Sequence, residues 1–122
     1  MTIVEKVGKG VPFLACDAFD AAGGVAHGFS TREGGVSEGI YASLNLGPNR
    51  GDEREHVLEN YRRFTAAIGA KAEGLVCAHQ VHGDTVRCVT TADRGKGLER
   101  PWDFEADGLI TDVPGLCLAV LT

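Results

Sequence analysis

The 122-residue sequence has no run of apolar residues near the roughly 18 that a membrane-crossing helix needs. Its opening, MTIVEKVGKGVPFLAC, lacks the long apolar stretch and the clear cleavage site of a secretory leader. Basic residues are outnumbered, 12 Lys and Arg against 17 Asp and Glu, for a formal net charge of −5. A nucleic-acid surface needs a basic excess, so whole-chain charge argues against that partner; one or two arginines can still hold a small anion. The four cysteines, Cys16, Cys77, Cys88 and Cys117, include no CxxC pair. With nothing else pointing to secretion, they are expected to be reduced thiols in a cytoplasmic protein. Internal repeats and low-complexity segments are also missing.

What is present suits one soluble domain: 43% hydrophobic and 24% charged residues on a chain of single-domain length. The 17 glycines cluster in turns. Residues 23–37, GGVAHGFSTREGGVS, read as a short strand entering a loop where Gly34 and Gly35 allow positive φ or a close backbone approach. Residues 39–47, GIYASLNLG, follow as a second loop or short extended segment, closed by a turn at Gly47-Pro48-Asn49. The clearest helix is DEREHVLENYRRFTAAIG. Asp52 is its expected N-cap with Glu55 three residues on, Val57, Leu58, Tyr61, Phe64 and Ile68 form its apolar stripe, and Gly69 is its stop. Arg62 and Arg63 fall on its solvated face.

Four apolar stretches follow, at 74–81, 84–90, 107–111 and 115–122, each broken by Gly, Asp or Pro as strands are. One helix among several strands predicts an α/β (α+β) protein, a mixed sheet with packed helices. Residues 90–107 are expected to form a mobile polar connection. GLCLAVLT, at 115–122, is a nearly continuous apolar run and predicts a buried central strand. Chains rarely stop inside such a strand, so the sequence is expected to be cut short, leaving an open sheet edge that favours self-association.

AHQVHG, at 78–83, places His79 and His82 three apart with Cys77 just before them. On a strand, side chains alternate faces, so these two histidines cannot share an ion. At most one faces a site, and the position next to Gly83, where a strand emerges into a loop, favours His82. A catalytic zinc needs three protein ligands. Spacing supplies no second one, so from the residues alone both histidines are better explained as structural.

HGFSTREGGVS (27–37), YASLNLG (41–47), the helix through Asn60-Tyr61-Arg62, HQVHG (79–83) and ADGLITDVPGLCLAVLT (106–122), in this order, resemble the YfiH-type family. It is also called the laccase-domain or multicopper polyphenol oxidase family. The resemblance runs from about His27 onward and implies a YfiH-like fold, of which residues 1–122 would be the N-terminal part of a single domain. It implies a zinc-dependent purine nucleoside phosphorylase that uses phosphate to cleave adenosine, inosine and methylthioadenosine, with an adenosine deaminase side activity. It also implies that His82 is a zinc ligand and catalytic residue. The family's other two ligands, a Cys in a TADC-like motif and a His in an HxGWRG-like motif, have no counterpart in this sequence. Cys117 precedes the expected Cys position and reads as a buried core thiol.

Within that resemblance Arg32 is the leading candidate for a phosphate or substrate contact, since a planar guanidinium suits phosphate geometry. An exposed arginine paired with Glu33 explains it equally well. Ser30 and Asn45 are candidates for substrate hydroxyls, although such residues in turns usually bond their own backbone. Asp107 could orient a neighbouring group or cap a turn, and Trp102 could cover a purine or pack inward. The alternative is an inactive truncated module that needs a partner chain. Copper-dependent phenol oxidation, the family's older reading, ranks last, because four histidines in unrelated contexts do not make a copper cluster.

Overall fold

Lys9 and Gly10 both adopt left-handed backbone angles, φ 48° and 82°, which match the twist of a two-residue hairpin turn. They join β1 (Ile3–Gly8) to β2 (Val11–Cys16), antiparallel from Ile3↔Cys16 to Gly8↔Val11. This computed structural model describes residues 2–122. The hairpin is not among the elements expected from the sequence, although Gly-Lys-Gly between two apolar-containing runs signals it. The chain forms two compact units that part after Ala70.

In the first unit, β2 leads into a short helix α1 (Asp17–Ala22), also unforeseen, and pairs on its other side with β3 (Phe29–Ser30). Alternate residues Val11, Phe13 and Ala15 are buried, the period-two pattern of a sheet with one covered face. The helix α2 (Arg54–Ile68) packs on β1 and β2. Glycine at position 8 permits the close crossing, since a Cβ there would run into the Ala67 carbonyl. Helix α2 buries Val57, Asn60, Tyr61 and Thr65 and ends as expected. Gly69 is left-handed (φ 82°), its N–H donates to the Ala66 carbonyl, and the Ala70 N–H donates to that of Thr65. The start differs from expectation. Glu53, not Asp52, is the N-cap, and no side chain caps it, because the Asp52 carboxylate is drawn to Ser37 and Asn45.

The second unit contains two parallel strand pairs: β4 (Val76–Cys77) with β7 (Leu118–Ala119), and β5 (Val86–Cys88) with β6 (Gly108–Ile110). Val76, Val89 and Leu116 form its core, with Phe104, Leu109, Val113 and Leu118 against them. The buried strand expected over 115–122 is corrected. Only two of those residues are strand, both are half-buried, and among the described residues β7 pairs with β4 alone.

The mobile connection expected over 90–107 is also corrected. A capping box at Thr90 and Asp93 opens a single 3-10 turn. The Asp93 carboxylate accepts from Lys96 Nζ at 2.7 Å and Arg87 at 3.2 Å, and Lys96 also meets Asp103 at 2.9 Å. Trp102 Nε1 donates to the Cys77 carbonyl at 2.7 Å. These bonds, with the buried Leu98 and Ala106, hold the segment in place. All four cysteines are free thiols, and no described helix is long and apolar enough to cross a membrane.

Candidate functional site

In the first unit the loops after β3 fold back on themselves. The Arg32 carbonyl accepts the N–H groups of Ser43 and Leu44 at 2.8 and 3.0 Å. Gly35 lies where a Cβ would overlap the Ser43 carbonyl and Asn60 Oδ1, so only glycine lets the two loops touch. Asn60, fully buried on α2, accepts the Val36 N–H at 2.8 Å and donates to Ser37 Oγ at 2.8 Å and the Asn45 carbonyl at 2.9 Å. Ser37 donates at 2.6 Å to Asp52. That hydroxyl, with the Asn45 amide and the Glu53 N–H, holds the Asp52 carboxyl below its ordinary range despite opposing burial.

The loops enclose an open depression of about 750 Å³, walled by Arg32, Tyr41, Leu44, Asn45 and Arg50 among others. Two guanidinium groups and no carboxylate line it, a charge balance that suits an anion. Arg32 is exposed, and its Nε donates to the Ala42 carbonyl at 3.3 Å. Asn45 is more committed: its amide donates to Asp52 at 3.2 Å and its Oδ1 accepts the Gly47 N–H at 3.1 Å. Ser30 sits in β3 opposite Phe13 and is not part of these walls.

In the second unit β4 ends at Cys77, so strand alternation does not reach either histidine. His79 stacks on Trp102 at 4.2 Å and its Nδ1 lies 2.9 Å from the Phe104 carbonyl. Trp102 therefore packs inward against His79. His82 follows in a loop, exposed and with left-handed backbone, φ 61°. The N–H groups of Val81, His82 and Gly83 all donate to the Asp107 carboxylate, at 2.9, 2.9 and 2.7 Å. Burial acts to raise the Asp107 carboxyl, and these three donors outweigh it, leaving it below its ordinary range. Cys117 is half-buried, and burial pushes its thiol up.

Residues 26–122 match the family profile described as multi-copper polyphenol oxidoreductase laccase. The chain belongs to that family. It is 42% identical over 113 residues to the purine nucleoside phosphorylase YlmD of Geobacillus stearothermophilus, covering 88% of this chain and 40% of that protein. It is 42% identical over 98 residues to a purine nucleoside phosphorylase of Deinococcus radiodurans, covering 80% of this chain and 35% of that protein. Among solved structures it resembles YlmD of G. stearothermophilus, with a TM-score of 0.74 at 42% identity over 88% of this chain and 40% of that one. YfiH of Bacillus licheniformis gives a TM-score of 0.68 at 38% identity over 76% of this chain and 36% of that one. The fold is therefore YfiH-like. The chain spans 40% and 35% of the length of the two curated relatives named here.

The laccase-family name raises the question of a metal. Among the described residues no three His, Cys, Asp or Glu side chains come together as a metal cluster. A catalytic zinc needs three such donors. These residues do not make a complete metal site. Two contributors went unforeseen, Arg50 in the depression and Asn60 behind the Asn45 loop; Asp107, expected to orient a neighbouring group or cap a turn, holds the 81–83 loop through three N–H groups. Of the two, only Asn60 left a signal, as a polar residue beside Val57 and Tyr61 on the core-facing side of a helix.

Proposed function

We propose that the protein carrying these residues is a purine nucleoside phosphorylase. What supports this is the 42% identity to YlmD over 88% of the chain together with the common fold. In the proposed reaction a phosphate oxygen attacks C1′ of the ribose as the C1′–N9 bond breaks. The bonding pair leaves on N9, the purine takes up a proton, and ribose 1-phosphate is formed. The oxocarbenium-like sugar and the departing base carry the developing charge that the site must stabilise. Arg32 is proposed to hold phosphate, and Asn45 to contact substrate hydroxyls. Adenosine, inosine and methylthioadenosine are the proposed substrates, with deamination of adenosine as a side activity and the cytoplasm as the location. His82 is proposed as the one donor these residues give to a zinc ion. No step is assigned to the metal, because its other donors are not among the described residues.

The test is phosphate-dependent release of base from inosine and adenosine, followed by chromatography, on the product of the complete reading frame and its His82→Ala variant. Base release that needs phosphate and falls at least a hundredfold in the variant is expected. No phosphate-dependent release would end the proposal. A second account, a binding module that self-associates or pairs with another chain, is favoured by one observation: β7 pairs only with β4 among the described residues. An exposed strand edge templates pairing. Concentration-dependent oligomers without base release would support that account.

A further inference from the structure

Within the phosphorylase proposal, we infer that Asp107 is a positioning residue for His82, holding the loop so that the imidazole leaves the chain in one fixed direction. Three consecutive N–H groups, from Val81, His82 and Gly83, converge on its carboxylate at 2.9, 2.9 and 2.7 Å. Successive amides that converge in this way form a concave nest for an anion. Here the chain's own side chain fills the nest. The bonds are charge-assisted, the strong class of hydrogen bond, and they hold His82 at φ 61°, a backbone region where side-chain-bearing residues are uncommon.

Asp107 is itself anchored. Its N–H and that of Gly108 both donate to the Thr85 carbonyl, at 3.0 and 3.2 Å, where β6 begins its pairing with β5. At the other end of the loop the Ala106 N–H donates to the His79 carbonyl at 3.0 Å, and His79 is stacked on Trp102. The loop is fastened at both ends and in the middle, yet the His82 side chain is exposed. Both Asp107 oxygens are engaged, Oδ1 by two amides and Oδ2 by one. Its role is to hold rather than to exchange protons. Gly83 completes the device, because a Cβ there would press on Asp107 Oδ2 at 3.2 Å.

Asp107→Asn keeps the shape but turns an amide donor toward N–H donors. In the complete protein it is expected to speed deuterium exchange at the amides of residues 81–83 and to move the His82 Cα shift and H–N–Cα–H coupling away from left-handed values. The amides of α2 should keep their protection. kcat/KM for inosine with phosphate should fall about 10- to 100-fold, the scale of a misplacement near 1 Å. Unchanged exchange and His82 signals would overturn the inference, whether or not activity falls. If His82→Ala retains full phosphorolysis, the phosphorylase role of His82 fails instead, independently of what Asp107 does to the loop. Should Asp107→Asn not fold, Gly83→Ala disturbs the same contact with the carboxylate intact. Displaced His82 signals with a few-fold loss of kcat/KM are expected, and undisplaced signals would overturn the inference.

Discussion

Replacing Asn60 by alanine should cost the first unit about 3–4 kcal/mol while leaving helix α2 itself intact. The side chain is fully buried and makes three hydrogen bonds, all to the loops that carry Arg32 and Asn45. Alanine is the best helix former, so the helix loses nothing by propensity. Ser37 keeps its bond to Asp52, whereas the Val36 N–H and the Asn45 carbonyl lose the partners that Asn60 provides. A buried polar group left unpaired costs about 1–3 kcal/mol. The bonds to Val36 and Asn45 are part-buried and take the low end of that range; with the buried bond to Ser37 also lost they give the total, a sizeable part of the roughly 5–15 kcal/mol that holds a domain folded. With a urea dependence of about 1.5 kcal/mol per molar, the unfolding midpoint should drop by about 2 M at unchanged slope. Circular dichroism during urea titration measures this. Asn60→Asp should be at least as damaging at pH 7, since it sets an oxygen against the Asn45 carbonyl and adds a buried charge. A loss below about 1 kcal/mol for Asn60→Ala would refute Asn60 as the anchor of these loops.

The depression predicts a divided kinetic effect. Arg32→Ala and Arg50→Ala should each raise the KM for phosphate about tenfold while changing the KM for inosine less than twofold, and equal changes in both constants would count against phosphate binding there. Asp93 predicts an acid limb of stability. The Lys96 ammonium, with the Thr90 N–H, holds its carboxyl at about 2, down from 3.8. A depressed folded-state pKa contributes stability that is complete above the unfolded value and is lost as pH falls from about 4 to about 2. Urea midpoints between pH 2 and 5 should fall less steeply with acid in Asp93→Asn than in the wild type, the remaining slope coming from other lowered carboxyls such as Asp52 and Asp107. His27 predicts a fixed tautomer, because the Cys16 N–H donates to its Nε2 at 2.9 Å. Neutral His27 must then carry its proton on Nδ1, which faces Asp20 at 3.9 Å. Nitrogen-15 spectra showing a protonated Nε2 would contradict this.

Helix α2 was legible because its signals are local. Val57 and Tyr61 are one turn apart, and Gly69 supplies a left-handed stop that needs no distant partner. Its first residue was misplaced because the Asp52 carboxylate answers to Ser37 and Asn45, and sequence spacing does not report a hydrogen bond that crosses loops. The loop position of His82 could be read from Gly83 beside it. The grip of Asp107 could not, since its partners lie more than twenty residues upstream and only the β5–β6 pairing brings them together. The run at 115–122 misled through composition. Apolar residues suit both a central strand and the half-covered side of a two-stranded pair, and only the pairing distinguishes them. The 90–107 segment misled in the opposite direction, because polarity indicates mobility only when the charges face water. Asp93 and Lys96 face each other.

The parallel pairing of β4 with β7 also has a consequence for the order of folding. The hairpin of β1 and β2 closes over two residues, a local event on the scale of microseconds. Val76, fully buried, finds its strand partner at Leu118 and part of its core at Leu116. Forming this strand pair requires closing a loop of roughly forty residues, with only the nearer contacts to Val89, Lys96 and Trp102 to offset the lost entropy beforehand. On a ribosome the first unit can therefore be complete, and the nearer partners of Val76 and Cys77 at Val89, Lys96 and Trp102 already synthesised, while β4 still waits for the chain to reach Ala119. Through that interval the stretch leading directly to His79 and His82 lacks its strand partner.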